Sequence, residues 1–150
     1  MDGNGRWADA IKRKRIYGHE MGVEAVKKIV EHCVKLKVDF LTLYTFSNEN
    51  WNRPKYEVLA LMRLLVKSLD KYMNLLLDNN IKLNVIGDVE KLDLITKRKL
   101  NLVINKTKEH NGLNLNLAIS YGSRQEIINA VNKILNLKEN KKINIEKFNS

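Results

Sequence analysis

Asp2, Gly3, Gly5 and Arg6 stand within the first seven residues of "MDGNGRWADAIKRKRIYGHE", and a basic run then leads to Gly18 and His19. Glycines at 3 and 5 permit positive φ and close approach of a ligand to the backbone. Successive amide N–H groups in such a turn make a nest for phosphate oxygens, and Arg6 adds a fork of donors to the same anion. Asp2 would repel a bare anion. Its presence makes sense if Mg2+ sits between carboxylate and phosphate. An ordinary Asx/Gly turn with a surface arginine explains D-G-x-G taken alone, and Arg13, Arg15 and His19 taken alone read as a solvated face. A second polar cluster, "SNENWNRP", offers Ser47, Asn48, Glu49, Asn50, Trp51 and Arg53 after an apolar run. Its bland alternative is a helix-capping loop with Trp51 packed on the core. Trp7, Phe46 and Trp51 read as packing residues rather than a stacking platform.

These residues need elements to position them. "HEMGVEAVKKIVEHCVKLK" carries Val23, Val26, Ile29, Val30, Cys33 and Val34 at helical spacing. "DFLTLYTF" reads as a buried strand. Pro54 suits the first turn of a helix, and one long helix is expected over 55–79, with Leu59, Met62, Leu65, Val66, Leu69, Met73 and Leu76 on its apolar face. "IKLNVIGD" reads as a strand ending at Gly87, residues 92–110 as a more polar helix stopped near Gly112, and "LNLNLAISY" as a third strand. "SRQE" is a capping-box pattern of Ser123 and Glu126 before a helix over 124–137, and "INIEKFNS" suggests the first turn of another. Strand and helix alternate, so the fold class is α/β, a central mostly parallel sheet flanked by helices. Ligands of such sheets lie beyond the carboxyl ends of the strands, here the loops after Phe46, Gly87 and Tyr121.

The 150 residues suit one domain. No apolar run reaches the roughly 20 residues of a membrane span, and no signal segment stands at the start. Cys33 is the only cysteine, which excludes an internal disulfide and points to a reducing cytoplasm. A formal charge of +10 and a pI of about 9.7 attract anions without choosing among nucleic acid, phosphorylated metabolites and anionic lipid.

In order along the chain, "MDGNGRWA", Arg15 with "GHEMG", "LTLYTFSNENWNRP" and "ISYGSR" resemble the cis-prenyltransferase family, most of all its bacterial undecaprenyl diphosphate synthases. The likeness runs through nearly all of the chain. It implies a homodimer with a hydrophobic tunnel, and Mg2+-dependent condensation of isopentenyl diphosphate onto an allylic diphosphate such as farnesyl diphosphate. Each added double bond would be cis, and the product, a lipid carrier for cell-wall synthesis, would pass to a membrane that the protein contacts at most peripherally. By the same likeness Asp2 is the aspartate that helps hold Mg2+ on the diphosphate. Gly3, Asn4, Gly5, Arg6 and Trp7 surround the allylic diphosphate, and Arg15 and His19 are further substrate contacts. Ser47, Asn48 and Glu49 belong to the substrate loop, Asn50 assists proton removal, and Trp51 and Arg53 are neighbouring contacts. A neutral amide is a poor base, so Asn50 reads as orienting the abstraction. No Asp-rich DDxxD motif of the trans-prenyltransferases occurs.

The family places a strand before the Met-Asp-Gly motif, and after the capping-box helix an Arg/Glu segment that helps hold isopentenyl diphosphate and Mg2+. Neither is found here, so the expectation is a single domain over 1–150 truncated at both ends, with negligible condensation by these residues alone. A non-catalytic homologue that partners a complete subunit is the rival reading. A nucleic-acid binder is the third, and it has charge but no recognisable motif; no nucleic-acid partner is expected.

Overall fold

The computed structural model describes residues 3–136. The element order is α1 (Asn4–Ala10), α2 (Arg15–Lys35), β1 (Phe40–Ser47), a 3-10 turn (Asn48–Asn52), α3 (Lys55–Lys71), α4 (Met73–Asp78), β2 (Lys82–Ile86), a second 3-10 turn (Val89–Lys91), α5 (Leu94–Thr107), β3 (Asn114–Tyr121) and α6 (Ser123–Asn136). Asp2 and "INIEKFNS" lie outside the described residues.

The strands form a parallel sheet in the order β1-β3-β2. Register explains the side-chain pattern. Leu41, Leu115 and Leu83 align in one row and Leu43, Leu117 and Val85 in another, both on the core face. The alternate rows face the other way. One of them is polar: Asn84 Nδ2 donates to Asn116 Oδ1 at 3.1 Å, and Asn116 Nδ2 donates to Thr42 Oγ1 at 3.2 Å. The expected buried strand is therefore buried on one face only, with Phe40 69% and Tyr44 50% exposed. Strict alternation would have sent Phe46 out with Tyr44. A register shift between Tyr44 and Phe46 leaves Thr45 opposite no partner and turns Phe46 into the core beside Ile119.

Helix boundaries also differ from the sequence expectation. The 55–79 helix breaks at Tyr72, and Leu59 is exposed rather than on the buried face. Ile29 of α2 is likewise exposed. α5 is capped by Asp93, whose Oδ1 accepts from the N–H groups of Ile95 and Thr96 at 3.0 Å each. It ends at Thr107, and Gly112 instead lets the chain pass close to Asn80, whose carbonyl accepts its N–H at 3.0 Å. The SRQE box does not close. Glu126 N–H donates to Gly122 O at 3.0 Å, and the Glu126 carboxylate accepts from Tyr121 Oη at 2.5 Å. A turn of that kind forms instead at Ser47, whose N–H donates to Asn50 Oδ1 at 3.1 Å.

Candidate active site

From Asn4 onward the opening motif is a helix rather than a loop. Gly3 takes the left-handed conformation (φ 87°) and Trp7 N–H donates to its carbonyl at 2.8 Å, which starts α1. Gly5 is helical, without the positive φ expected of it. Its missing Cβ serves another purpose: one placed there would lie 2.8 Å from the Arg15 guanidinium. Arg15 opens α2 rather than lying in a loop, and His19 follows one turn later. The two glycines of "GHEMG" also sit one turn apart and bring α1 onto α2. A Cβ on Gly18 would stand 1.9 Å from the Asn4 carbonyl oxygen, and one on Gly22 would stand 2.6 Å from Asn4 Nδ2.

Between α2, α3 and the core face of the sheet lies a cavity of about 960 Å³. Its mouth gathers Gly3, Asn4, Gly5, Arg6, Arg15, His19, Ser47, Asn50 and Arg53 from three separated segments. Its depth is apolar: Val23, Val26 and Val30 of α2, Leu61, Leu65 and Leu69 of α3, Leu75 and Leu76 of α4, and Leu43, Leu83 and Leu115 of the sheet. Polar side chains along this wall are satisfied by protein. Ser68 Oγ donates to Leu64 O at 2.7 Å, and Tyr72 Oη to Glu24 at 2.7 Å. A charged mouth above an apolar shaft is the shape of a site for an amphiphile with an anionic head.

Among the described residues, four of the expected ones are not in this lining. Trp7 is exposed and stacks on Tyr17, with centroids 6.0 Å apart. Asn48 faces β3, accepting from Ser120 Oγ at 3.3 Å. Glu49 is exposed, and hydrogen bonding from its own backbone and from Ser47 holds its carboxyl below the usual range. Trp51 packs edge-on to Phe46 at 5.0 Å and donates from Nε1 to Ser120 Oγ at 3.0 Å. Trp51 and Asn48 thus tether the 48–52 turn to the end of β3, which positions Ser47 and Asn50. Of the three loops beyond the strand ends, only the one after Phe46 reaches the cavity.

Glu57 was not singled out from the sequence. Its side chain, only 14% exposed, lies 3.1 Å from Arg53 Nη1 and 3.7 Å from Arg15 Nε. Asp9 accepts from Arg15 Nη1 at 2.9 Å. One carboxylate thereby joins two mouth arginines that lie far apart in sequence. The available signal was its place one turn after Arg53 behind Pro54, which an ordinary helical ion pair would equally explain.

The buried Nε2 of His19 has no hydrogen-bond partner among the described residues. Burial, followed by Arg53 and Arg15, pushes its pKa down, while Glu57 opposes. The unfolded chain takes up a proton as pH falls through the ordinary histidine value of 6.5, and the folded chain resists until a lower pH. His19's contribution to stability is therefore fully present above 6.5 and is lost as pH falls below it. Thermal unfolding followed from pH 7.5 down to about 5 is expected to show a drop that His19→Gln reduces. An unchanged slope in the variant would assign the drop to other groups.

Among the described residues no cluster of three His, Cys, Asp or Glu side chains is arranged to hold a metal, and no carboxylate lines the mouth. The lining fits an anion. A divalent cation there would draw oxygens from the anion itself.

A family model described as "Putative undecaprenyl diphosphate synthase" matches residues 1–150. The isoprenyl transferase of Clostridium tetani is 49% identical over 149 residues, covering 99% of this chain and 58% of its own length. The ditrans,polycis-undecaprenyl-diphosphate synthase ((2E,6E)-farnesyl-diphosphate specific) of Pasteurella multocida is 41% identical, covering 100% of this chain and 62% of its own. Lavandulyl diphosphate synthase from Lavandula x intermedia, in complex with dimethylallyl diphosphate, superposes with a TM-score of 0.93 at 27% identity over 99% of this chain and 66% of that one. The chain thus spans about three-fifths of the length of these curated relatives. With a family match along its whole length, two relatives above 40% identity and a shared fold, the chain belongs to the prenyltransferase family of the undecaprenyl diphosphate synthases.

Proposed function

We propose that the chain forms the allylic-substrate part of a cis-prenyltransferase that condenses isopentenyl diphosphate with an allylic diphosphate such as farnesyl diphosphate, giving a long-chain polyprenyl diphosphate. The observation that carries this is the joining of an arginine-rich mouth to an apolar shaft in one cavity. Arg15 and Arg53 grip the diphosphate through charge-assisted hydrogen bonds, aligned by Glu57. The isoprenoid tail lies along the Val and Leu side chains of α2 and α3, where water is excluded and the growing chain has apolar company. Mg2+, held by Asp2 and the diphosphate oxygens, would neutralise charge on the departing group.

Loss of the diphosphate leaves an allylic cation. The π-bond of isopentenyl diphosphate attacks it, and a proton then leaves the new chain to an oxygen of the released diphosphate. Asn50 has its amide oxygen turned to the Ser47 N–H, so its NH2 group is the part free to donate. It orients rather than accepts the proton, as an amide of negligible basicity must. The same reading makes residues 1–150 the incomplete single domain of a cis-prenyltransferase that works as a homodimer in the cytoplasm and whose product is a lipid carrier for the cell wall.

Calorimetric titration tests it. Farnesyl diphosphate with Mg2+ is expected to bind, and farnesol and inorganic diphosphate to bind much more weakly, because each fills one half of the cavity. Equal binding of farnesol and farnesyl diphosphate, or no binding of either, would sink the assignment. Condensation is read separately, by transfer of radiolabelled isopentenyl diphosphate into extractable product. It is expected to be negligible for residues 1–150 alone and to appear when a complete subunit supplies the isopentenyl site.

A further inference from the structure

We propose that the corner between α1 and α2 is a docking surface for an anionic lipid bilayer. The outer side of this corner carries two apolar pairs. Trp7 and Ile11 stand one turn apart at α1 and its end, and Tyr17 and Met21 stand one turn apart on α2. All four are exposed, between 37% and 46%. The Trp7 and Tyr17 rings are stacked at 16°, which joins the pairs into one ridge. The turn between the helices is Lys12, Arg13 and Lys14, every one of them exposed. Arg13 lies over the Tyr17 ring at 5.8 Å from its centroid. The carboxylates nearby are Asp9, engaged by Arg15 at 2.9 Å, and the exposed Glu20.

Charge and ring geometry decide the occupant. Trp and Tyr settle at the headgroup level of a bilayer, and Lys and Arg are drawn to anionic leaflets. An apolar ridge flanked by basic residues is the pattern of a segment that lies on a membrane without crossing it, and no helix among the described residues is long and apolar enough to cross one. A single-stranded nucleic acid would need open ring faces for its bases. Here those of Trp7 and Tyr17 are turned to each other and to Arg13. A second copy would bring two basic turns together. The corner adjoins Gly3 to Arg6 at the cavity mouth, so a long lipid product would leave beside the bilayer that receives it. That last link rests on the proposed function; the docking surface does not.

The experiment is co-sedimentation of the protein with vesicles of phosphatidylcholine containing phosphatidylglycerol, and with vesicles of phosphatidylcholine alone. Two variants are compared: Lys12→Asn/Arg13→Gln/Lys14→Gln, in which asparagine tolerates the positive φ of Lys12, and Ile11→Ser/Met21→Ser. Farnesyl diphosphate titration of each variant reports an intact cavity. Binding to the anionic vesicles is expected, with much weaker binding to the neutral ones. Partitioning should fall about fivefold for each basic residue removed, on the order of a hundredfold for the triple variant, and about tenfold for the apolar variant, with diphosphate affinity unchanged in both. Equal partitioning of wild type and both variants overturns the proposal. So does equal binding to the two vesicle types, or capture of single-stranded oligonucleotide in place of vesicles. Vesicle binding without farnesyl diphosphate binding would leave the docking surface standing and overturn the proposed function.

Discussion

Gly18→Ala is expected to remove diphosphate binding almost completely, by two orders of magnitude or more in affinity. The added methyl would stand 1.9 Å from the Asn4 carbonyl oxygen and 2.7 Å from its carbon. These are backbone atoms in the first turn of α1, so the clash is relieved only by pushing α1 away from α2. Gly3, Asn4, Gly5 and Arg6 move with it, and the mouth loses one of its three segments. Overpacking of this kind costs about 1–3 kcal/mol in stability, and the loss of binding should exceed that because several contacts to one anion are misplaced together. Gly22→Ala is the control. Its methyl meets the end of the Asn4 side chain at 2.6 Å, which can rotate aside, so stability and affinity should change much less. Calorimetry with farnesyl diphosphate and thermal unfolding of both variants give the answer. Equal behaviour of the two would mean that α1 does not depend on this contact.

Arg15→Ala/Arg53→Ala should weaken farnesyl diphosphate binding by on the order of 10²–10³-fold, since each hydrogen bond to a charged group is worth about 1.5–3 kcal/mol. The double variant also strands Glu57, a largely buried carboxylate whose two cationic neighbours are gone. That carboxylate would then cost stability and repel the diphosphate. Adding Glu57→Gln should therefore recover the melting temperature while leaving most of the affinity loss in place. If the third substitution restored binding as well, the arginines would be acting only as counter-charges to Glu57, and the site would lie elsewhere in the cavity. Affinity measured at several salt concentrations gives a second check, because loss of two cationic contacts should flatten its salt dependence.

These two results turn on different kinds of information. The alternation of strand and helix, the parallel sheet, the apolar character of α2 and α3 and the family likeness were all legible in the chain. They depend on local periodicity and on residues adjacent in sequence. The polar loop 47–53 was also legible, with Ser47, Asn50 and Arg53 reaching the cavity mouth.

The tertiary structure decided which of the chemically able residues meet. Gly5 and Gly18 are informative glycines, yet neither needs a special φ. Each is small because a particular atom from another helix occupies the space its Cβ would take, the Arg15 guanidinium in one case and the Asn4 carbonyl in the other. Trp7 and Trp51 look alike as motif tryptophans, but one stacks outside on Tyr17 and the other tethers a turn to β3. Glu57 acquires its place only when Arg15, forty-two positions earlier, is folded against it. The shift at Thr45 that turns Phe46 inward exists only in the pairing of β1 with β3. A residue's own chemistry and its near neighbours are written in the sequence itself. Space left by a missing Cβ, strand register and shared counter-ions belong to pairs of distant segments, and nothing in one segment specifies them until the other has packed against it.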